Sequence, residues 1–223
     1  MKLPTDETPP RAILEWAYAT FGDRIAMSTA FGPSGLVLMH LASEVNPGAR
    51  VFFIDTGFHF DETLDMVERV RARLNLDIQT LSPRLSVEDQ DQAHGDPLHA
   101  VDPDRCCALR KVEPTERMLH GLDAWITALR RDQGPSRAGT PVFEHKAKGA
   151  RVLVKVNPMV TWTSKDVWRH IFAHDLPYNP LHDQDYPSVG CWPCTAPAGG
   201  SKDERAGRWA GRAKTECGLH TLI

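Results

Sequence analysis

Short apolar runs alternate with amphipathic stretches through the first half of this 223-residue chain. No other feature restricts its folding more. Residues 24–30 read as a short buried strand, and residues 35–42 are helical in composition. Residues 51–54, rich in aromatic and β-branched side chains, form a second strand that ends in the turn Asp55-Thr56-Gly57. Between residues 60 and 74, Leu64, Val67, Val70 and Leu74 recur at helical spacing with charges on the opposite face. Residues 77–81, 125–129 and 152–156 supply three more strands. Residues 164–173 read as a helix with Thr163 or Ser164 as its N-cap. Strands separated by helices predict an α/β fold, a parallel sheet flanked by helices. Ligands of such sheets bind beyond the carboxyl ends of the strands. Three polar loops fall there: residues 31–34, 55–57 and 130–137.

Composition narrows the function. Hydrophobic residues make up 41% of the chain, enough for one ordered core. A net charge of −3 argues against a nucleic-acid partner. No apolar run is long enough to span a membrane, and the N-terminus lacks the basic-then-apolar plan of a signal peptide. A cytoplasmic location is therefore expected, where clustered cysteines mean metal or catalysis more often than disulfides. Residues 1–194 are expected to form the α/β domain, with its ligand site and four of the five cysteines. Residues 195–223, rich in Gly, Ala and charge, are expected to form a mobile tail outside the core.

The five cysteines divide into four and one. Cys106 and Cys107 are adjacent, Cys191 and Cys194 form a Cys-x-x-Cys, and Cys217 stands alone in the tail. Neighbouring side chains diverge on a helix or strand, so an adjacent pair suits one tetrahedral zinc poorly. An iron–sulfur cluster offers separate iron corners and accepts diverging thiolates better. The alternative is that Cys106 and Cys107 are buried apolar residues of a helix. Cys217, with Arg212 and Lys214 nearby, is either a reactive thiol or an idle surface one.

Three segments carry a resemblance. Cys106-Cys107-Ala108-Leu109-Arg110-Lys111-Val112-Glu113-Pro114 comes first, then Ser188-Val189-Gly190-Cys191-Trp192-Pro193-Cys194-Thr195, then Glu216-Cys217-Gly218-Leu219-His220. In this order they resemble the assimilatory adenylyl-sulfate reductases, thioredoxin-dependent relatives of the phosphoadenylyl-sulfate reductases. The resemblance covers nearly the whole chain. Within it, residues 28–35 look like a modified pyrophosphate loop, residues 54–57 like a second nucleotide motif and residues 129–137 like an arginine loop. The resemblance implies an adenine-nucleotide α-hydrolase-like fold and a homo-oligomer. It implies a 4Fe-4S cluster on Cys106, Cys107, Cys191 and Cys194. It also implies that Cys217 attacks the sulfur of adenylyl sulfate, giving a protein thiosulfonate and AMP, and that thioredoxin (or glutaredoxin) then releases sulfite. Ser28, Phe31, Gly32, Ser34, Asp55, Thr56, Gly57, Lys111, Arg130, Arg131, Arg137, Arg205 and Arg208 become candidate substrate contacts.

Residue chemistry is consistent with that implication. A thiolate attacking an anion needs cations to offset repulsion, and guanidinium forks match planar pairs of oxygens. Arg205 and Arg208 lie on the segment leading to Cys217. The loop at residues 28–34 lacks the aspartate of ATP-cleaving relatives and reads as a cradle for one phosphate at a helix start. His59, His94, His99 and His145 show no metal-ligand spacing, and Trp162 and Trp168 read as packing residues. Three other readings stand beside the leading one. They are a reductase for the 3′-phosphorylated nucleotide or for both, a cluster-bearing tRNA thiolase of the same fold, and a zinc-stabilised binding module.

Overall fold

The computed structural model describes residues 2–148, 151–201 and 203–219. The elements run in chain order: α1 (Pro10–Phe21), β1 (Ile25–Thr29), α2 (Pro33–Val45), β2 (Arg50–Ile54), α3 (Asp61–Arg73), β3 (Asp77–Leu81), α4 (Val87–His94), α5 (Leu98–Val101), α6 (Pro103–Cys107), α7 (Glu113–Leu119), β4 (Ala124–Ile126), β5 (Phe143–Lys148), β6 (Arg151–Val156) and α8 (Ser164–Ala173). A single π-helical turn over Ala108–Val112 joins α6 to α7.

The six strands form one sheet in the order β3-β2-β1-β4-β6-β5. All neighbours are parallel except β5 and β6, which form an antiparallel hairpin at the edge. The expected parallel sheet thus carries one antiparallel strand at its edge. Phe-Glu-His-Lys-Ala-Lys of β5 offers little apolar alternation, and its place at the edge, paired only to β6, needs none. The fourth strand ends at Ile126 rather than residue 129, because Thr127 to Arg130 turn out of the sheet toward a cleft.

Alternate residues of the parallel strands face opposite layers, as strand geometry requires. Ile25, Met27, Val51, Phe53 and Ile126 pack with α1, α2, α3 and α8. Ala26, Phe52 and Trp125 pack on the other face with Leu119 and Leu122 at the end of α7. The N-terminus of α8 carries a capping box, with the Thr163 hydroxyl accepting from Asp166 N–H and the Asp166 carboxylate accepting from Thr163 N–H.

β1 has β2 on one side and β4 on the other. The chain direction of the crossovers reverses there, which opens a crevice beyond the strand ends. The described part of the tail returns into this crevice. Ala196 N–H donates to Gly207 O at 2.9 Å, Trp209 N–H donates to Cys194 O at 3.0 Å, and Trp209 is 3% exposed. Within residues 203–219, Glu204, Arg205, Arg208, Trp209, Glu216, Cys217 and Leu219 line this crevice, while residues 210–213 stay exposed.

Candidate active site

A cavity of about 590 Å3 occupies the crevice. Its floor is the loop after β1, where Gly32 caps α2 and Pro33 opens its first turn, and no side chain caps that end. The uncapped N–H groups and the helix dipole make this end attractive to an anion. Ser28, Gly32 and Ser34 line it. Phe31 does not. Its φ of 55° turns the ring away, to 1% exposure and 5.1 Å from the Phe53 ring. That left-handed backbone is unusual for a bulky residue and sends the flanking Ala30 and Gly32 to the cavity wall.

The second nucleotide loop contributes one of its three candidates. Thr56 lines the cavity and its hydroxyl lies 3.3 Å from Cys191 Sγ. Asp55 turns inward on its own loop and accepts from Gly57 N–H at 2.9 Å. Gly57 has φ 73°, and an added Cβ would sit 3.1 Å from the Arg110 guanidinium. Neither Asp55 nor Gly57 lines the cavity. Arg110 is 3% exposed and fixes the loop by donating to Thr56 O, to Leu85 O and Ser86 O at 3.3 Å, and to Gln90 at 3.2 Å.

The arginine loop likewise splits. Arg130 and Arg137 face the cavity. Arg131 points away, donating to both Asp6 carboxylate oxygens and to Thr140 O, so the expected three arginines reduce to two. Arg205 and Arg208 from the tail complete four guanidinium groups around one space, with Lys111 beside them. Two glutamates hold three of these arginines. Arg130 Nη2 donates to both oxygens of Glu204 at 3.0 Å. Arg137 grips Glu216 through two parallel bonds of 2.8 and 2.9 Å, and Arg205 donates to the same carboxylate at 3.2 Å. Arg208 differs. Its Nη1 reaches Ser188 at 3.5 Å, while its buried Nε finds no partner among the described residues. Arg205, Arg208 and Lys214 all approach the Trp209 ring, at 5.8, 4.7 and 5.4 Å.

Cys217 is half-buried and lines the same cavity. His220, which follows it in the tail motif, lies outside the described residues. The other four cysteines meet on one flank. Cys106, Cys107, Cys191 and Cys194 line one small cavity with Phe58 and Lys111. No cysteine is in a disulfide. Burial and the neighbouring thiols push Cys106 up to about 12, and burial raises Cys107 and Cys194 as well. Burial also acts against the Cys191 thiolate, yet Lys111 and the Thr56 hydroxyl bring that thiol below its ordinary value. Burial pushes the Lys111 ammonium toward neutrality, and Cys191, Cys217 and Cys107 more than reverse this, so Lys111 stays charged. It therefore stands electrostatically between the nucleophile candidate and the quartet. Four cysteines around one small cavity are a donor set for a soft metal centre. The π turn lets Cys106, Cys107 and Lys111 of one helix face this flank together.

Residues 24–197 match a family described as the phosphoadenosine phosphosulfate reductase domain. The chain belongs to that family. An adenosine 5′-phosphosulfate reductase of Bacillus pumilus is 49% identical over 94% of this chain and 89% of its own length. A phosphoadenosine 5′-phosphosulfate reductase of Gloeobacter violaceus is 47% identical over 96% and 90%. Among solved structures, phosphoadenylyl-sulfate reductase from Candida auris in a phosphate complex aligns with a TM-score of 0.73 at 34% identity, covering 83% of this chain and 89% of that one.

Several residues of this reductase-family cleft escaped the sequence reading. Glu204 and Glu216 look like solvated charges until the tail is folded back. His59 has no metal-ligand spacing, yet it lines the cavity and its Nε2 lies 2.9 Å from Ile54 O. Trp168 packs on the core as expected and also forms part of the cavity wall. A group of three histidines, His40, His170 and His174, lies outside the cavity. Burial and the two adjacent imidazoles hold His170 near 4. The expected helix stopped at residue 173, which left the i,i+4 spacing of His170 and His174 unread.

Proposed function

We propose that the protein reduces adenylyl sulfate to sulfite and AMP, with Cys217 as the nucleophile and a dithiol protein of the thioredoxin type as the electron source. The observation that carries this reading is the meeting of Cys217, four arginines and Lys111 in the crevice beyond β1 and β4. In this mechanism the α-phosphate sits at the start of α2, held by backbone N–H groups and Ser34. Arg137, Arg205, Arg208 and Lys111 neutralise the sulfate. The Cys217 thiolate forms a bond to sulfur as the sulfur–oxygen bond to AMP breaks, and AMP leaves with that electron pair. The product is a thiosulfonate on Cys217. A thiolate of the external dithiol attacks Cys217 Sγ and sulfite departs. The second thiol resolves the mixed disulfide, so the two electrons come from the dithiol.

The cysteine quartet fits a 4Fe-4S cluster. The four cysteines line one small cavity, none is in a disulfide, and the half-buried Lys111 lines the same cavity. A cluster held there would tie α6 to the Cys-x-x-Cys loop and set the charge beside Lys111. Lys111 would then balance that charge while keeping its ammonium toward the cavity. The relative named for the 3′-phosphorylated nucleotide favours a second reading, in which that substrate is also accepted.

Iron and sulfide content, measured alongside sulfite release from both nucleotides with thioredoxin, tests these readings together. The expected result is about four iron and four sulfide per chain and a higher kcat/KM for adenylyl sulfate. Full turnover by Cys217→Ser would overturn the nucleophile. A preference for the 3′-phosphorylated nucleotide would support the second reading. One zinc with no sulfide would overturn the cluster.

A further inference from the structure

We propose that His40, His170 and His174 bind a divalent transition-metal ion, with zinc the best fit, and that this ion fastens α2 to α8. The site is separate from the cysteine flank and from the reaction cavity. His40 lies on α2. His170 lies one turn before His174, the residue that caps the C-terminus of α8. Residues four apart share a helix face, and α2 and α8 belong to one packed layer. One ring nitrogen from each histidine falls within 4.8 Å of the other two. His40 Nδ1 and His170 Nε2 are 3.1 Å apart, and the ring centroids are 4.2 to 5.2 Å apart.

Zinc–nitrogen bonds of about 2.0–2.1 Å in a tetrahedron place two donor nitrogens roughly 3.4 Å apart. The His40–His170 pair already has nearly that spacing. His174 is exposed at a helix end, so its ring can rotate the remaining distance. The His40–His170 contact places two ring nitrogens face to face, with room for one proton between them at most. A cation in that position serves both nitrogens and the third ring as well. Imidazole donors select zinc, copper or nickel over magnesium and calcium. Three histidines leave a fourth position for water or a carboxylate. Glu44 lies one turn beyond His40 on α2, and its charge acts on both His40 and His170. Its carboxylate accepts from Arg11 at 2.9 Å. Arg73 of α3 opposes a cation, though its Nη2 is directed to His174 O at 3.4 Å and toward Asp175 at 4.0 Å.

The consequence reaches the reaction cavity through the helices alone. The first turn of α2 carries Ser34, and α8 supplies Val167 and Trp168 to the cavity wall. An ion held by His40 in the middle of α2 and by His170 and His174 at the end of α8 would hold the two helices in register without touching substrate.

Tag-free protein with its cysteine centre loaded to matched iron content, dialysed against zinc chloride, tests this. Wild type is expected to retain one zinc per chain, with unchanged iron and a raised melting temperature. His174→Gln, an exposed change that the fold tolerates, should weaken zinc binding by about tenfold or more and abolish the melting shift. His94→Gln, at an exposed histidine of α4, should behave as wild type. Cobalt in place of zinc should give d–d absorption without sulfur-to-metal charge transfer. Equal zinc retention and equal melting shifts in wild type and His174→Gln would overturn the site. So would a cobalt spectrum dominated by sulfur ligation.

Discussion

At the scale of single residues, the cavity is governed by carboxylates that occupy its cations. Glu216 adjoins Cys217 in sequence and is clasped by Arg137 and Arg205. These are the guanidinium groups an incoming sulfate would need, so substrate must compete with Glu216 for them. Glu216→Gln should lower the KM for adenylyl sulfate severalfold. It should also cost about 1–3 kcal/mol of stability, the worth of hydrogen bonds to a charged group. Steady-state kinetics and denaturant unfolding check the two halves, and an unchanged KM would show that Glu216 does not compete. His59 supplies a second test. Burial lowers it from 6.5, so on acidification the unfolded chain takes up its proton before the native chain does. Stability is therefore present above about pH 6.5 and lost as pH falls from there through the lower native value. His59→Gln should flatten that part of the pH–stability profile, measured with urea between neutral and mildly acid pH.

At the scale of elements, the tail is anchored by a close backbone approach. Thr195 and Arg208 form an antiparallel bridge, and a Cβ on Gly207 would sit 1.9 Å from Ala196 O. Backbone cannot yield there as a side chain can. Gly207→Ala should lift residues 207–209 from the Cys-x-x-Cys loop, displace Arg208 and lower kcat/KM. It should destabilise the protein by about 1–3 kcal/mol, readable as a shift in the unfolding midpoint. This contact has no sequence signature, since glycines at 199, 200, 207, 211 and 218 look alike on the page. The strands β1, β2, β3 and β6 were legible as short apolar runs, and the helices α2, α3 and α8 from composition, apolar spacing and an N-cap respectively. The segment from α5 to α7 was not. Pro97, Pro103 and Pro114 break it into short pieces whose pattern never completes two turns. It is nevertheless the segment that carries Cys106, Cys107, Arg110 and Lys111 to the site.

At the scale of the whole molecule, the site arises from topology. The crevice between β1 and β4 gathers residues from positions 28 to 219. Sequence motifs named the arginines, yet only the fold separates Arg130 and Arg137 from Arg131, whose partner Asp6 lies 125 residues away. The adjacency of Cys106 and Cys107 was readable as an unusual ligand pattern. So was the place of Lys111, a few residues on, where its charge can face both this pair and the substrate space; the π turn over Ala108–Val112 that carries it was not. Among the described residues no helix is long and apolar enough to cross a membrane. Three parts of the chain meet here: the start of α2, a cysteine quartet on one flank and a folded-back tail bearing Cys217. The central proposal is that Cys217 takes the sulfur directly from the nucleotide. Mixing the protein with adenylyl sulfate in the absence of any dithiol, then mapping the products by peptide mass spectrometry, tests this most directly. The account predicts one equivalent of AMP and one added SO3 on the Cys217 peptide, discharged as sulfite when thioredoxin is supplied. AMP release without that adduct, or an adduct on any of the other four cysteines, would contradict it.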